Sequence, residues 1–118
     1  MITKTWMDDL VRLQKLFVAT HEENRFCSVH NDGVHILPQT FVELMQVDDF
    51  TVTVEDRKDT LLPLELTVQY QGTPFYALFS WQEVHDAGFE EYIPEPLVAT
   101  YAQFLANDRS ALAALVGK

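Results

Sequence analysis

Near the start of the chain, apolar side chains recur at Trp6, Leu10, Leu13 and Phe17. These spacings of four, three and four place them on one side of an α-helix, and Met7 and Val11 widen the stripe. Thr5 followed by Asp8 has the form of a capping box, so the pattern predicts an amphipathic helix over residues 4–20. The polar run His21-Glu22-Glu23-Asn24 interrupts it. From Phe26 to Leu37 the period changes to two around Asp32-Gly33, a dipeptide suited to the positive dihedrals of a tight hairpin turn. Pairing outward from that turn sets His30 against His35 and Val29 against Ile36, and puts Cys27, Val29, Val34 and Ile36 on one face. Pro38 ends the strand, and Gln39 or Thr40 opens a short helix with Phe41, Leu44 and Met45 inward.

Alternation resumes over residues 50–55, a third strand, and a polar loop follows over residues 56–60. The longest hairpin signal surrounds Gln71-Gly72 and aligns Tyr70 with Thr73, Val68 with Phe75, Leu66 with Ala77 and Leu64 with Phe79. Leu64, Leu66, Val68 and Tyr70 then share a covered face with Phe75, Ala77, Phe79 and Trp81, while Glu65, Thr67, Gln69, Tyr76 and Ser80 occupy a wet one. A slip of one residue would invert both faces. After Trp81 the alternation stops, and residues 82–95 read as an irregular acidic connector anchored by Phe89 and Tyr92. Pro96 opens a closing helix with the stripe Leu97, Val98, Tyr101, Phe104 and Leu105, and Asn107-Asp108 caps a second segment carrying Leu112, Leu115 and Val116. The fold class expected is α+β, a single domain over residues 1–118. It has a five-stranded antiparallel sheet with helices packed on one face, in the order α-β-β-α-β-β-β-α(α).

Composition supports an ordered core: 47% of the residues are hydrophobic, including eight Phe, four Tyr and two Trp, enough apolar surface to offset the entropy of ordering the chain. Cys27 is the only cysteine, which excludes an intramolecular disulfide and a Cys-rich metal site and suggests a small buried apolar residue. Met1 to Asp9 lacks the basic lead and apolar block of a secretory signal, and no stretch reaches the length of a membrane span. A reducing cytoplasm is the expected compartment.

Charge changes the picture most. Eight Lys and Arg stand against eighteen Asp and Glu, for a formal net charge of -10, and residues 1–25 are balanced, so the whole excess lies beyond them. Phe26 to Asp56 and Asp59 to Asp108 contain no Lys or Arg. Direct binding to a phosphate backbone needs clustered cations, so nucleic acid and an anionic membrane are excluded as partners, whereas a basic surface on another protein would be attracted.

Four candidate constellations follow. His30 and His35, side by side near Asp32, offer two imidazoles, too few for zinc without a third ligand at fixed spacing, so no metal site is expected. Glu83, His85, Asp86, Glu90, Glu91 and Glu95 gather six ionisable groups without a nearby Lys or Arg. The five carboxylates form the expected partner-binding surface, and His85 with its neighbours is the alternative, a proton shuttle in a small enzyme. Thr51, Thr53, Thr67, Tyr76 and Leu78 share the outer sheet face and are the candidate surface for self-association as a homodimer. The aromatic set Phe75, Tyr76, Phe79, Trp81, Phe89 and Tyr92 could line a ligand pocket, but most of it lies on the covered face and is core packing first.

No GxSxG, P-loop, GxGxxG or EF-hand pattern occurs, so no catalytic residues and no cofactor are expected. The function expected is a non-catalytic acidic interaction module. In its strongest form it is an inhibitor that occupies the basic groove of a nucleic-acid-binding enzyme as a charge mimic, a setting analogous in size and charge to anti-defence proteins of phages and mobile elements. The alternative is a small enzyme or ligand-binding domain with a pocket between the sheet and the C-terminal helices.

Overall fold

The computed structural model describes residues 1–22 and 26–116. Four helices are present, α1 (Lys4–Glu22), α2 (Pro38–Leu44), α3 (Trp81–Ala87) and α4 (Val98–Val116), and five strands, β1 (Phe26–His30), β2 (Gly33–Ile36), β3 (Thr53–Asp56), β4 (Leu64–Tyr70) and β5 (Thr73–Phe79). The sheet order is β1-β2-β5-β4-β3. This is the α+β architecture and element order that the hydrophobic pattern predicts.

The β4–β5 hairpin has the expected register, with Tyr70 opposite Thr73, Val68 opposite Phe75, Leu66 opposite Ala77 and Leu64 opposite Phe79. Gln71 and Gly72 take φ of 52° and 78°, the left-handed pair that a two-residue turn of matching twist requires. Leu64, Leu66, Val68, Ala77 and Phe79 are buried, so the predicted inner face is the real one. Tyr70, at the far end of that face, is half exposed.

Several expectations are corrected. The sheet is mixed rather than antiparallel, because β2 and β5 run parallel, with Val34 beside Phe75 and His35 beside Tyr76. The chain leaves β2 through α2, which packs on β5, and comes back along β3 and β4, so β5 enters the sheet beside β2 in the same direction. Second, the β1–β2 turn sits at Asn31-Asp32, and His30 faces Gly33, Val29 faces Val34 and Ser28 faces His35. From Ser28 to His30 the pairing has moved by two residues from the expected register, which keeps Val29 and Val34 on one face but separates His30 from its place opposite His35. A register shift between Phe26 and Ser28 then sets Phe26 opposite Ile36, so the expected face of Cys27, Val29, Val34 and Ile36 does not continue along β1. Gly33 is used for close approach, since a Cβ there would lie 2.8 Å from the Pro74 carbonyl oxygen.

Third, the connector is not irregular throughout: residues 81–87 form α3. Ser80 accepts from the Glu83 backbone N–H at 3.1 Å, the Glu83 carboxylate accepts from the Ser80 N–H at 2.9 Å, and Gly88 closes the helix in the left-handed conformation. Two 3-10 turns, Glu90–Tyr92 and Glu95–Leu97, lead into α4, which runs through Asn107-Asp108 without a break. The third strand begins at Thr53, later than the alternation suggests.

The core lies where α2, α3, the 3-10 turns and the start of α4 cover the inner face. Phe41 of α2 is fully buried, edge-on to Phe79 at 5.7 Å and to Phe89 at 6.1 Å, with Val84 and Ile93 closing the layer. The expectation that Cys27 is buried falls on a side chain outside those described. The radius of gyration is 18.7 Å and the longest extent 67 Å, where a compact chain of this length would have a radius of roughly 13–14 Å. α1 causes much of this, because its main neighbour is β1 and every residue from Met1 to Ala19 is exposed.

Candidate functional site

The acidic segment divides by what each carboxylate does. Glu83 is half-buried and held in the α3 cap, and Asp86 accepts from the Gln82 side-chain amide one turn earlier at 2.9 Å. Glu90 is joined to α3 and α4: its Oε1 accepts from the Tyr101 hydroxyl at 3.0 Å and lies 3.2 Å from His85 Nδ1, which is itself 3.1 Å from the same hydroxyl. The Glu90 carboxyl is held below its usual range, chiefly by its own backbone N–H, against a smaller opposing effect of burial, with Tyr101 and His85 adding to the lowering. Tyr101 is buried beside Trp81, with ring centroids 5.5 Å apart, so the triad rests on the core rather than on a loop. Glu91 and Glu95 lie exposed on the two 3-10 turns.

Such a triad can exchange a proton between imidazole and carboxylate, but two neighbouring grooves do not include His85. One is lined by Leu37, Pro38, Val42, Glu83 and Asp86, the other by Trp81, Thr100, Gln103 and Phe104. Five predicted partner-binding residues thus lie within one α3-to-α4 region, with Asp86, Glu90, Glu91 and Glu95 exposed and Glu83 turned into a helix cap.

The outer sheet face brings the second predicted set together. Register places Thr53, Thr67 and Tyr76 in one row across β3, β4 and β5, and Leu78 in the next row beside Glu65. Thr51 precedes β3 and does not belong to the row. On the same face His35 stacks on Tyr76 with centroids 4.9 Å apart, and the Ser28 hydroxyl lies 2.7 Å from His30 Nε2. His35 is pushed below the usual imidazole range, first by burial and then by the charges of His30 and Arg57. Glu65 is pushed above the usual carboxyl range by burial and by Glu55, which faces it across the β3–β4 pair. Both shifts favour the neutral forms, so this face carries less charge than its residue types suggest. Among the described residues, no three His, Cys, Asp or Glu side chains gather to hold a metal ion.

A third feature was not anticipated as a site. Leu13, Leu16 and Phe17 of α1 form one wall of a groove of about 370 Å³ whose floor is Val34, Ile36 and Phe75. A second groove of about 390 Å³, lined by Val47, Phe50, Val68 and Tyr70, continues it past Leu44 and Phe75, which line both. The signal was present in the sequence, since the stripe of α1 is as apolar as a core helix; its exposure was not.

No helix among the described residues is long and apolar enough to cross a membrane. Compared with known proteins, the chain matches no family model, no curated protein and no solved structure.

Proposed function

We propose that this chain is a non-catalytic acidic interaction module of the cytoplasm that docks on a basic surface of another protein, in the strongest form the nucleic-acid-binding groove of an enzyme. One observation carries the reading. Between Phe26 and Asn107 thirteen acidic residues face two basic ones, Arg57 and Lys58, and none of the carboxylates is fully buried. Arg57 is already engaged, donating to the Leu62 carbonyl oxygen at 2.7 Å and lying 3.8 Å from Asp59. The resulting negative field extends about a Debye length of 8 Å from the surface at physiological salt, speeds encounter with basic grooves and repels nucleic acid itself. Asp86, Glu91 and Glu95 supply the exposed contact points on a segment that Tyr101 and the α3 cap hold in place. The module needs no cofactor for this.

The test is capture of partners by the tagged protein from its native lysate at low and at doubled salt, compared with a variant carrying Asp86→Asn, Glu91→Gln and Glu95→Gln. A nucleic-acid-binding protein retained at low salt, released at high salt and lost by the variant is the expected result. Capture unchanged by the variant would sink the charge reading.

The hydrogen-bonded triad His85, Glu90 and Tyr101 favours the second reading, a small enzyme or ligand-binding domain. Under that reading His85→Ala abolishes activity or ligand binding; under the first it leaves partner capture intact.

A further inference from the structure

We propose that the chain forms a symmetric homodimer through α1, in which two α1 helices cross antiparallel and each lays its N-terminal half into the apolar groove beside the other's C-terminal half. This goes beyond the acidic-partner reading, uses a different surface and stands independently of it.

The first support is area. Trp6, Met7, Leu10, Val11, Leu13, Leu16, Phe17 and Val18 are between 42% and 66% exposed. Together they expose on the order of several hundred Å² of apolar surface per copy. That is at or above the largest apolar patch of an ordinary monomer and, with the groove floor of Val34, Ile36 and Phe75 beside it, approaches what each partner contributes to a standard stable interface. A helix whose residues from Met1 to Ala19 are all exposed also gains little from burial within its own chain, and burial of an apolar face supplies most of the stability of such helices.

The second support is the spacing of the stripe, which reads the same in both directions. Trp6 and Phe17, like Leu10 and Leu13, are equidistant from its midpoint. An antiparallel pair therefore brings Trp6 beside Phe17 of the partner subunit and Leu10 beside Leu13 of the partner subunit, and a two-fold axis makes both contacts twice. Trp6 then reaches the mouth of the groove between Phe17 and Phe75 of the partner subunit. The chain thus carries both the apolar insert and the groove that takes it.

The third support is charge. Lys4, Arg12 and Lys15 balance Asp8, Asp9 and Glu22, so α1 is neutral on a chain of net charge -10. Two such chains meet with least repulsion along this helix, whereas a basic partner is drawn to the body instead.

Sedimentation of the untagged chain across a dilution series tests the proposal. A species of twice 13.6 kDa is expected, with Leu10→Asp and Leu13→Asp each weakening it by about thirtyfold or more, while Tyr76→Ser on the outer sheet face leaves it unchanged. Salt should tighten the dimer by screening the like-charged bodies, the opposite of its effect on partner capture, and the Leu10→Asp protein should still bind partner. Geometry is tested separately by mixing Trp6→Cys and Phe17→Cys proteins, each also carrying Cys27→Ser, under mild oxidation. The two positions lie about 16 Å apart along one helix, too far to bridge within a chain, so the expected product is a disulfide between unlike chains. A monomer at every concentration, a dimer that survives both aspartates, or preferential disulfides between like chains would each overturn the proposal.

Discussion

Gly33 of β2 lies against Pro74 of β5 so closely that a Cβ on it would stand 2.8 Å from the Pro74 carbonyl oxygen, a backbone atom that cannot swing aside. Its φ of 154° is also one that side chains avoid. The parallel seam of the sheet depends on this contact. Gly33→Ala should therefore destabilise the fold by about 2 kcal/mol or more, read from the midpoint of denaturant unfolding. Gly72→Ala is the comparison: its Cβ would meet open space, leaving only the conformational cost of about 1 kcal/mol. Equal losses at the two positions would contradict the role given to the Gly33 contact.

Ser80 and Glu83 satisfy each other's backbone N–H groups at the start of α3. Ser80→Ala should cost about 1 kcal/mol of stability. Glu83→Gln keeps an acceptor and should cost less, and it should leave partner capture nearly unchanged, because this carboxylate faces its own helix. Loss of capture in Glu83→Gln with stability intact would return it to the contact surface.

Tyr101 ties α4 to the turn at Glu90 and to His85 through one hydroxyl. Tyr101→Phe keeps the ring against Trp81 and should cost about 1 kcal/mol for the lost hydrogen bonds. The Glu90 carboxyl should titrate closer to its ordinary value in this variant, a change that carbon-detected NMR titration reads directly. An unmoved titration would mean that the hydroxyl does not sense Glu90.

The outer face sets two opposed pH dependences. His35 has its folded pKa lowered, so the unfolded chain holds the extra proton; stability should fall as pH drops from the unfolded value of 6.5 through the folded one. Glu65 has its folded pKa raised, so the folded chain holds the extra proton; stability should fall as pH rises from the unfolded value of 4.5 through the folded one. Glu65→Gln should consequently stabilise the protein at neutral pH, and His35→Gln should flatten the slope below pH 6.5. Unfolding midpoints across the acid range check both, and a Glu65→Gln protein less stable than the parent at neutral pH would refute the first.

The β4–β5 hairpin was legible residue by residue because alternation over two seven-residue strands and a Gln-Gly turn admit only one register that buries Leu64, Leu66, Val68, Ala77 and Phe79 together. α3 was missed although its cap was written in Ser80 and Glu83, since seven residues carry too few turns for a helical period to stand out. His30 does not pair with His35 because the turn chemistry of Asp32-Gly33 is a local signal, whereas Gly33 is needed for the close approach of Pro74 on β5.

The sequence by itself determined the first helix, expected over residues 4–20 and found over Lys4–Glu22, the faces of the β4–β5 hairpin and the excess of negative charge, because these depend on spacing and composition within short segments. Only the tertiary structure decided that β2 and β5 run side by side, that Glu90, His85 and Tyr101 meet, and that the apolar stripe of α1 faces solvent. Periodicity shows which residues need burial; what buries them is a matter of contacts between distant parts of the chain, or between two chains.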